Sequence, residues 1–338
     1  MLPAFAGMTM RDHVTSTVII QAKRGIGDVI WHLPFIRAIA AATPERAVTF
    51  LAPPSSMGAE LLQAESCVAR TLYFEHGGSE LARAFQLARL TQMLRELQPK
   101  TAWILDKTLR PALAAFLARV PQRIGMGIRP QRLLITNRGL DPSFDEQYPI
   151  ECLIALLEQV GVPLETTEPN LTLPAAVVAA IGQRFQAHER PWTVVGLGAS
   201  IPDKDWPRSQ WVVFLEAIRR RTRGTIFLIG GGANAPLAAN LLESTAGAET
   251  INACDLSLIE SAALMKHADL FVGPNSGPMN IAAAVGTPAF GFFATNKVLT
   301  YSRHIHAILP DDGRIAPDGM QRLSPQRVVE RIGVYLDG

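Results

Sequence analysis

The sequence is poor in the residues that build metal centres, redox sites and covalent staples. Its three cysteines, Cys67, Cys152 and Cys254, stand far apart, with no CxxC pair and no histidine cluster beside them. That spacing excludes a zinc ribbon or a disulfide framework and indicates three reduced core thiols of a cytosolic protein. Seven histidines are scattered. Only His304 and His306 are close, and a strand would place both on one face without supplying a third ligand. Long apolar runs are lacking too: the stretch 281–294 is broken by Gly286, Pro288 and Gly291, so nothing reaches the length of a membrane span. Neither sign of charge dominates, and a net +2 over 338 residues gives no general affinity for nucleic acid. Residues 1–16 have no basic start before their short apolar part, which Pro3 and Gly7 interrupt. They fail as a signal peptide and are expected to form a disordered tail.

What is present is enough apolar residue, 48%, in a chain long enough for two domains with separate cores. The organising stretch is Asp269–Ala294: an apolar run to Gly273, a turn through Pro274, Asn275, Ser276, Gly277 and Pro278, a small-residue helix from Met279 to Val285, then Gly286-Thr287-Pro288 and another apolar run. A helix that starts in such a turn leaves several N–H groups unpaired at the positive end of its dipole, which suits phosphate. Near the N-terminus the same grammar recurs. A β-branched strand, Val18–Gln21, leads through Arg24, Gly25, Gly27 and Asp28 into a helix expected at Val29–Ala42, followed by a strand at Ala47–Leu51. A dinucleotide site would need a third glycine near position 30 and an acid after that second strand. Ile30 and Ala52 stand there, so a nicotinamide enzyme ranks low.

Further strands are expected at Thr71–Phe74, Ala102–Leu105 and Gln122–Gly125, and helices at Ser79–Leu97, Leu109–Arg119 and Glu146–Val160. Between Arg95 and Arg138 nine basic residues face only Glu96 and Asp106, a bias that fits a solvated face or a landing surface for an anionic acceptor. Pro163–Pro174 is expected to be a linker. Beyond it, strands at Trp192–Gly196, Thr225–Ile229 and Thr250–Ile251 alternate with helices at Ser209–Arg221, Pro236–Thr245 and Ser257–Lys266, and a last helix spans Ser324–Leu336. Each glycine turn follows a strand, which places the turns at the C-terminal edge of a parallel sheet, where α/β proteins bind ligands.

Three blocks together resemble the lipopolysaccharide heptosyltransferases of glycosyltransferase family 9. They are Gly25-Ile26-Gly27-Asp28-Val29-Ile30-Trp31-His32-Leu33-Pro34, Gly198-Ala199-Ser200 with Lys204-Asp205-Trp206-Pro207, and Gly273 to Ala284, and the resemblance runs from about Val18 to Leu336. It implies an α/β, GT-B architecture: two Rossmann-like domains facing each other across a cleft. The expected divisions are an acceptor-binding domain at 17–165, a linker at 166–174, a nucleotide-sugar domain at 175–317, and a terminal helix at 318–338 that crosses back. The implied reaction is an inverting transfer of heptose from ADP-heptose to the lipopolysaccharide inner core, with neither a catalytic metal nor another cofactor.

On this chain the resemblance implies Asp28 as the base, although helix capping alone would also explain an acid there. Lys204 is the group expected to neutralise the diphosphate. Donor contacts are expected from Ser200, Asn275, Ser276, Gly277, Pro278, Met279 and Asn280, and acceptor-side contacts from Arg24, Gly25 and Gly27. The family usually has Asp and His where Asn275 and Asn280 stand. Asparagine keeps the size but loses the carboxylate at one site and the titratable imidazole at the other, which bears on donor sugar and on catalytic competence. The expected partners are a nucleotide-sugar, with ADP-sugar foremost, and a lipid-linked glycan acceptor, with no nucleic acid. The expected location is the cytoplasm, with weak contact at the inner face of the inner membrane. The alternative from another class is an inactive GT-B protein that binds a nucleotide-sugar or glycan and transfers nothing.

Overall fold

The computed structural model describes residues 15–75, 77–199, 201–242, 248–299 and 301–336. Most of the expected tail, 1–14, therefore lies outside the described residues. Thr15 is buried, and its hydroxyl shares a hydrogen bond of 2.7 Å with that of Thr49. The chain divides into two compact units. One holds the residues up to Arg24 with Phe35–Pro54 and Glu65–Glu165; the other holds Gly25–Pro34, Ser55–Ala64 and the chain from Thr166 onward.

In chain order the first elements are β1 (Thr17–Ile20), α1 (Ile26–Ala41), β2 (Val48–Ala52), α2 (Gly58–Leu61), β3 (Val68–Tyr73), α3 (Glu80–Leu97), β4 (Thr101–Ile104), α4 (Leu109–Leu117), β5 (Gln122–Gly125) and α5 (Pro149–Gln159). The five strands are all parallel, in the order β3-β2-β1-β4-β5. β1, β2 and β4 are short apolar runs because both faces of a parallel sheet are covered. Val18, Ile20, Leu51 and Ala102 pack on Leu90 and Leu94 of α3 and on Ala114 and Ala115 of α4. Helix α3 starts where its Ser79 cap predicts, with the hydroxyl accepting from Ala82 N. α5 starts three residues later than expected, because Pro142–Asp145 forms a separate 3₁₀ turn and Pro149 takes the first helical position.

The second unit continues with α6 (Ala175–Phe185), β6 (Thr193–Gly196), α7 (Arg208–Arg221), β7 (Ile226–Ile229), α8 (Ala235–Leu242), β8 (Thr250–Asn252), α9 (Leu258–His267), β9 (Leu270–Pro274), α10 (Gly277–Ala284), β10 (Ala289–Phe292), β11 (Ile305–Ile308), α11 (Gly319–Arg322) and α12 (Pro325–Leu336). Its six parallel strands run β11-β10-β9-β6-β7-β8, which is the doubly wound order with the reversal between β6 and β9. α6 was not anticipated. Its Ala and Val residues pack against α9 with Ile181 and Phe185 buried, so tertiary burial makes a helix of a segment that carries no capping side chain. Leu171, inside the stretch expected to be a linker, is buried and donates its N–H to Ala284 O at 2.9 Å. α12 packs against α7 through Val328, Ile332 and Leu336, one turn apart on a single face.

The thiols are free: Cys152 and Cys254 are buried and Cys67 half-buried, and burial pushes Cys67 and Cys254 up to about 11. His306 is stacked on Phe290 of the neighbouring strand, with ring centroids 4.8 Å apart. Among the described residues no three His, Cys, Asp or Glu side chains are grouped to hold a metal ion, and no helix is long and apolar enough to cross a membrane.

Candidate functional site

The reversal point of the six-stranded sheet fixes where the second unit can hold a ligand. The strands flanking it are β6 and β9, and their outgoing turns are the Lys204 loop and the Asn275–Ser276 turn. The loop after β6 is pinned at both ends. Asp205 Oδ1 accepts from Ala199 N at 2.9 Å. Trp206 is 3% exposed, donates its indole N–H to Leu323 O at 3.0 Å, and packs edge-on against Trp211 and at a tilt against Phe292. An indole that large, buried with its one donor satisfied, gives the loop a single position. Two residues earlier, Lys204 reaches across to β9, and its Nζ donates to Asn275 O at 3.0 Å. The Asn296 amide satisfies both its polar atoms when Nδ2 faces Thr295 O at 3.0 Å and Oδ1 accepts from Lys204 Nζ at 3.2 Å.

Both partners of the ammonium are neutral oxygens, so its positive charge is not cancelled by them. Burial pushes the Lys204 pKa down, and the negative charge of Asp28 acts in the opposite direction. Beside it begins α10. The structure starts this helix at Gly277, two residues before the expected Met279, with Pro278 in its first turn. Ser276 precedes it in an extended conformation and does not cap it with its side chain. The result is an uncapped helix N-terminus next to an ammonium, two independent sources of positive potential at one place.

Asp28 comes from α1, which begins at Ile26 and not at Val29. The carboxylate explains the difference: Oδ2 accepts from Gly25 N at 3.1 Å, an end-cap that adds a turn to the helix. Capping and proximity to Lys204 are thus both true of Asp28. The first turn of α1 lies against the first turn of α10. A Cβ on Gly27 would stand 2.9 Å from Asn280 Nδ2, and one on Gly277 would stand 2.9 Å from Ile26 Cβ.

Asp28, Lys204, Asn275, Ser276, Gly277, Pro278, Met279 and Asn280 are therefore gathered in one place, with Gly25 and Gly27 beside them. They do not all present side chains. Met279 is fully buried, with Sδ lying where a Cβ on Gly291 would be, so only its backbone faces the turn. Asn280 is 4% exposed and bonded inward, with Oδ1 accepting from Trp31 Nε1 at 2.5 Å and Nδ2 donating to Ser276 O at 2.8 Å. Asn275 ties Lys204 through its carbonyl. Ser200 lies outside the described residues. Arg24 belongs to the other unit, where its guanidinium lies over Gly77.

Sequence reasoning missed Trp31, Tyr301 and Asn296. Trp31 was detectable in principle, since it follows Asp28 by one helical turn on the same face. Nothing local marks Asn296 or Tyr301, whose ring meets that of Trp31 edge-on at 5.4 Å.

Two doubly wound parallel units with a cationic turn at a strand reversal are the parts of a GT-B glycosyltransferase. Comparison with known proteins agrees. Residues 87–306 match the model of glycosyltransferase family 9 (heptosyltransferase), and the chain belongs to that family and is a glycosyltransferase. It is 24% identical over 297 residues to lipopolysaccharide heptosyltransferase 2 of Salmonella typhimurium, covering 83% of each chain. Among solved structures, the E. coli ADP-heptose LPS heptosyltransferase II matches with a TM-score of 0.73 at 20% identity, over 95% of this chain and 98% of that one. The E. coli heptosyltransferase WaaC with ADP-2-deoxy-2-fluoro heptose matches with a TM-score of 0.69 at 17% identity, over 94% and 99%. At these identities the structural likeness establishes the GT-B fold.

Proposed function

We propose that this chain transfers a heptose from ADP-heptose to a hydroxyl of a lipopolysaccharide core or related lipid-linked glycan, with inversion at the sugar carbon. The observation that carries the reading is the Lys204 ammonium bonded at 3.0 Å to Asn275 O, two residues before the start of α10, with the first turn of α1, which bears Asp28, packed against that same helix start. In the proposed step the acceptor oxygen bonds to the anomeric carbon while the bond from that carbon to the diphosphate oxygen breaks. The acceptor proton passes to Asp28 and the electron pair leaves with ADP. Lys204 and the helix N-terminus stabilise the charge building on the diphosphate, which is the task a divalent cation performs elsewhere, so the reading includes metal independence. Relatives named for ADP-heptose and lipopolysaccharide support the donor and acceptor classes.

The same reading places the acceptor beside Arg24, Gly25 and Gly27, and the protein in the cytoplasm against the inner membrane. Support for membrane contact lies on one face of α4. Leu109, Phe116 and Leu117 are exposed there, the adjoining 3₁₀ turn adds Leu133 at 84%, and two basic residues of the Arg95–Arg138 segment lie against this face, with Arg123 over the Phe116 ring and Arg95 Nη2 donating to Leu117 O at 3.1 Å. The alternative of an inactive binding protein is not favoured, because the chain belongs to a glycosyltransferase family.

Thermal stabilisation by ADP and by ADP-heptose, each with and without EDTA, tests the donor. Turnover on a deacylated core acceptor tests transfer. Stabilisation that EDTA leaves unchanged, together with product of inverted configuration, is expected. Stabilisation by NAD(H) and by no nucleoside diphosphate would sink the reading.

A further inference from the structure

Three neighbouring strands of the six-stranded sheet, in the order β10-β9-β6, each send one part to the Lys204 ammonium. Lys204 itself stands on the loop after β6; its Nζ donates to Asn275 O, reached from β9, at 3.0 Å and to Asn296 Oδ1, on the loop after β10, at 3.2 Å. Chemistry dictates how the Asn296 amide is turned. Reversed, it would set Nδ2 against an ammonium and Oδ1 against the Thr295 carbonyl, donor facing donor and acceptor facing acceptor. The loop that bears Asn296 is fixed where it leaves β10: Phe293 and Ala294 are buried, Phe293 N donates to Ile308 O at 2.9 Å, and Ala294 O accepts from Ala316 N at 3.0 Å. At the far end of the loop the Glu168 carboxylate accepts from Arg303 N at 3.2 Å and from the Ser302 hydroxyl. Asn296 is exposed, so its side chain supports no core.

An ammonium carries three N–H groups. Held by one acceptor it still turns about the line to that acceptor; held by two it does not, and tetrahedral geometry then fixes where the third N–H points. We infer that Asn296 is a positioning residue for Lys204: together with Asn275 O it sets the rotation of the ammonium and leaves one N–H for an oxygen of the donor diphosphate. The inference rests on the proposed role of Lys204 at the diphosphate, and it gives Asn296 no contact with the donor. It also accounts for an amide at this place. A carboxylate would hold the ammonium as well but would cancel the charge that a diphosphate meets, and an aliphatic side chain would leave a single tie.

Asn296→Ala deletes the acceptor, and Asn296→Asp keeps an acceptor while adding a charge. In calorimetry Asn296→Ala should bind ADP about three- to tenfold more weakly than the parent, the loss of one hydrogen bond, with the melting temperature unchanged. That loss should disappear in a Lys204→Met background, where there is no ammonium to orient. In protein labelled with ¹³C at lysine Cε, the Lys204 signal is assigned by its absence from Lys204→Met. It should titrate at higher pH in Asn296→Asp than in the parent, because a carboxylate on the ammonium favours its charged form. The inference is overturned if the Lys204 titration is the same in Asn296→Asp and the parent. It is equally overturned, with the role of Lys204 left standing, if Lys204→Met loses ADP affinity while Asn296→Ala loses none, if the Asn296→Ala loss persists at full size in Lys204→Met, or if the melting temperature falls in step with the affinity. Equal ADP affinity in the parent and Lys204→Met would sink the reading of Lys204 at the donor site, and the inference with it.

Discussion

Lys204 Nζ donates to the carbonyl oxygen of Asn275 at 3.0 Å, and this single bond spans the two strand ends at which the six-stranded sheet reverses its winding. The ammonium sits beside an uncapped helix start with its charge uncancelled by the oxygens that hold it. A diphosphate placed there would meet both.

Lys204→Met should therefore weaken ADP binding by roughly 10- to 100-fold, the loss expected for a hydrogen bond to a charged group. Isothermal calorimetry measures it. Since Lys204 also ties Asn275, Lys204→Arg separates the effects: a positive charge without the compact ammonium should recover part of the affinity. Equal ADP affinity in the Met variant would remove Lys204 from the donor site.

Asp28→Asn should lower kcat by about 100-fold or more, because the amide cannot accept the acceptor proton. The amide oxygen can still accept from Gly25 N, so the change in unfolding free energy should stay under about 1 kcal/mol. A variant that turns over at the parental rate would leave Asp28 as a helix cap only.

The pH dependence has two opposite signs that can be read separately. Burial lowers the Lys204 pKa from its ordinary 10.5, so between the folded value and 10.5 the unfolded chain holds more protons. The Lys204 contribution to stability therefore rises with pH across that window. ADP affinity, which needs the ammonium, should fall across the same window. In Asp28→Asn the alkaline fall should begin at lower pH, since the charge that raises the Lys204 pKa is gone. An alkaline limb that does not move in Asp28→Asn would uncouple the two residues.

Gly27→Ala should be destabilising by about 1–3 kcal/mol, the range for forcing volume into a closely packed contact. The added methyl would stand 2.9 Å from Asn280 Nδ2. Urea unfolding measures the loss. Unchanged stability would mean that the two helix starts can separate freely.

Vesicles with 30% phosphatidylserine should bind the protein, and binding should fall as salt is raised toward 0.5 M. Arg119→Gln with Arg132→Gln should weaken it by about 1 kcal/mol per residue. Binding indifferent to salt and to anionic lipid would count against the α4 surface.

Much of this protein was legible in its sequence. Short apolar runs marked most of the strands, and the glycine turns after β1, β6, β7 and β9 marked the edge at which ligands bind, because a parallel sheet covered on both faces demands such runs; β3 begins three residues before its expected start and β11 was not expected. β5 falls at Gln122–Gly125 as expected, and α3 begins at its Ser79 cap. Asp28 and Lys204 stand in two of the blocks that carry the heptosyltransferase resemblance, and the fold brings the turns that hold them to the start of α10. α6 and the burial of Leu171 were decided by tertiary packing, since their stability comes from α9 and α10 and from no pattern of their own. The same holds for Asn280. Its residue type suggested a ligand, but whether an amide faces a donor or an indole depends on which helix lies against it. Trp31 and Asn280 are 249 positions apart, and only the fold brings them to 2.5 Å.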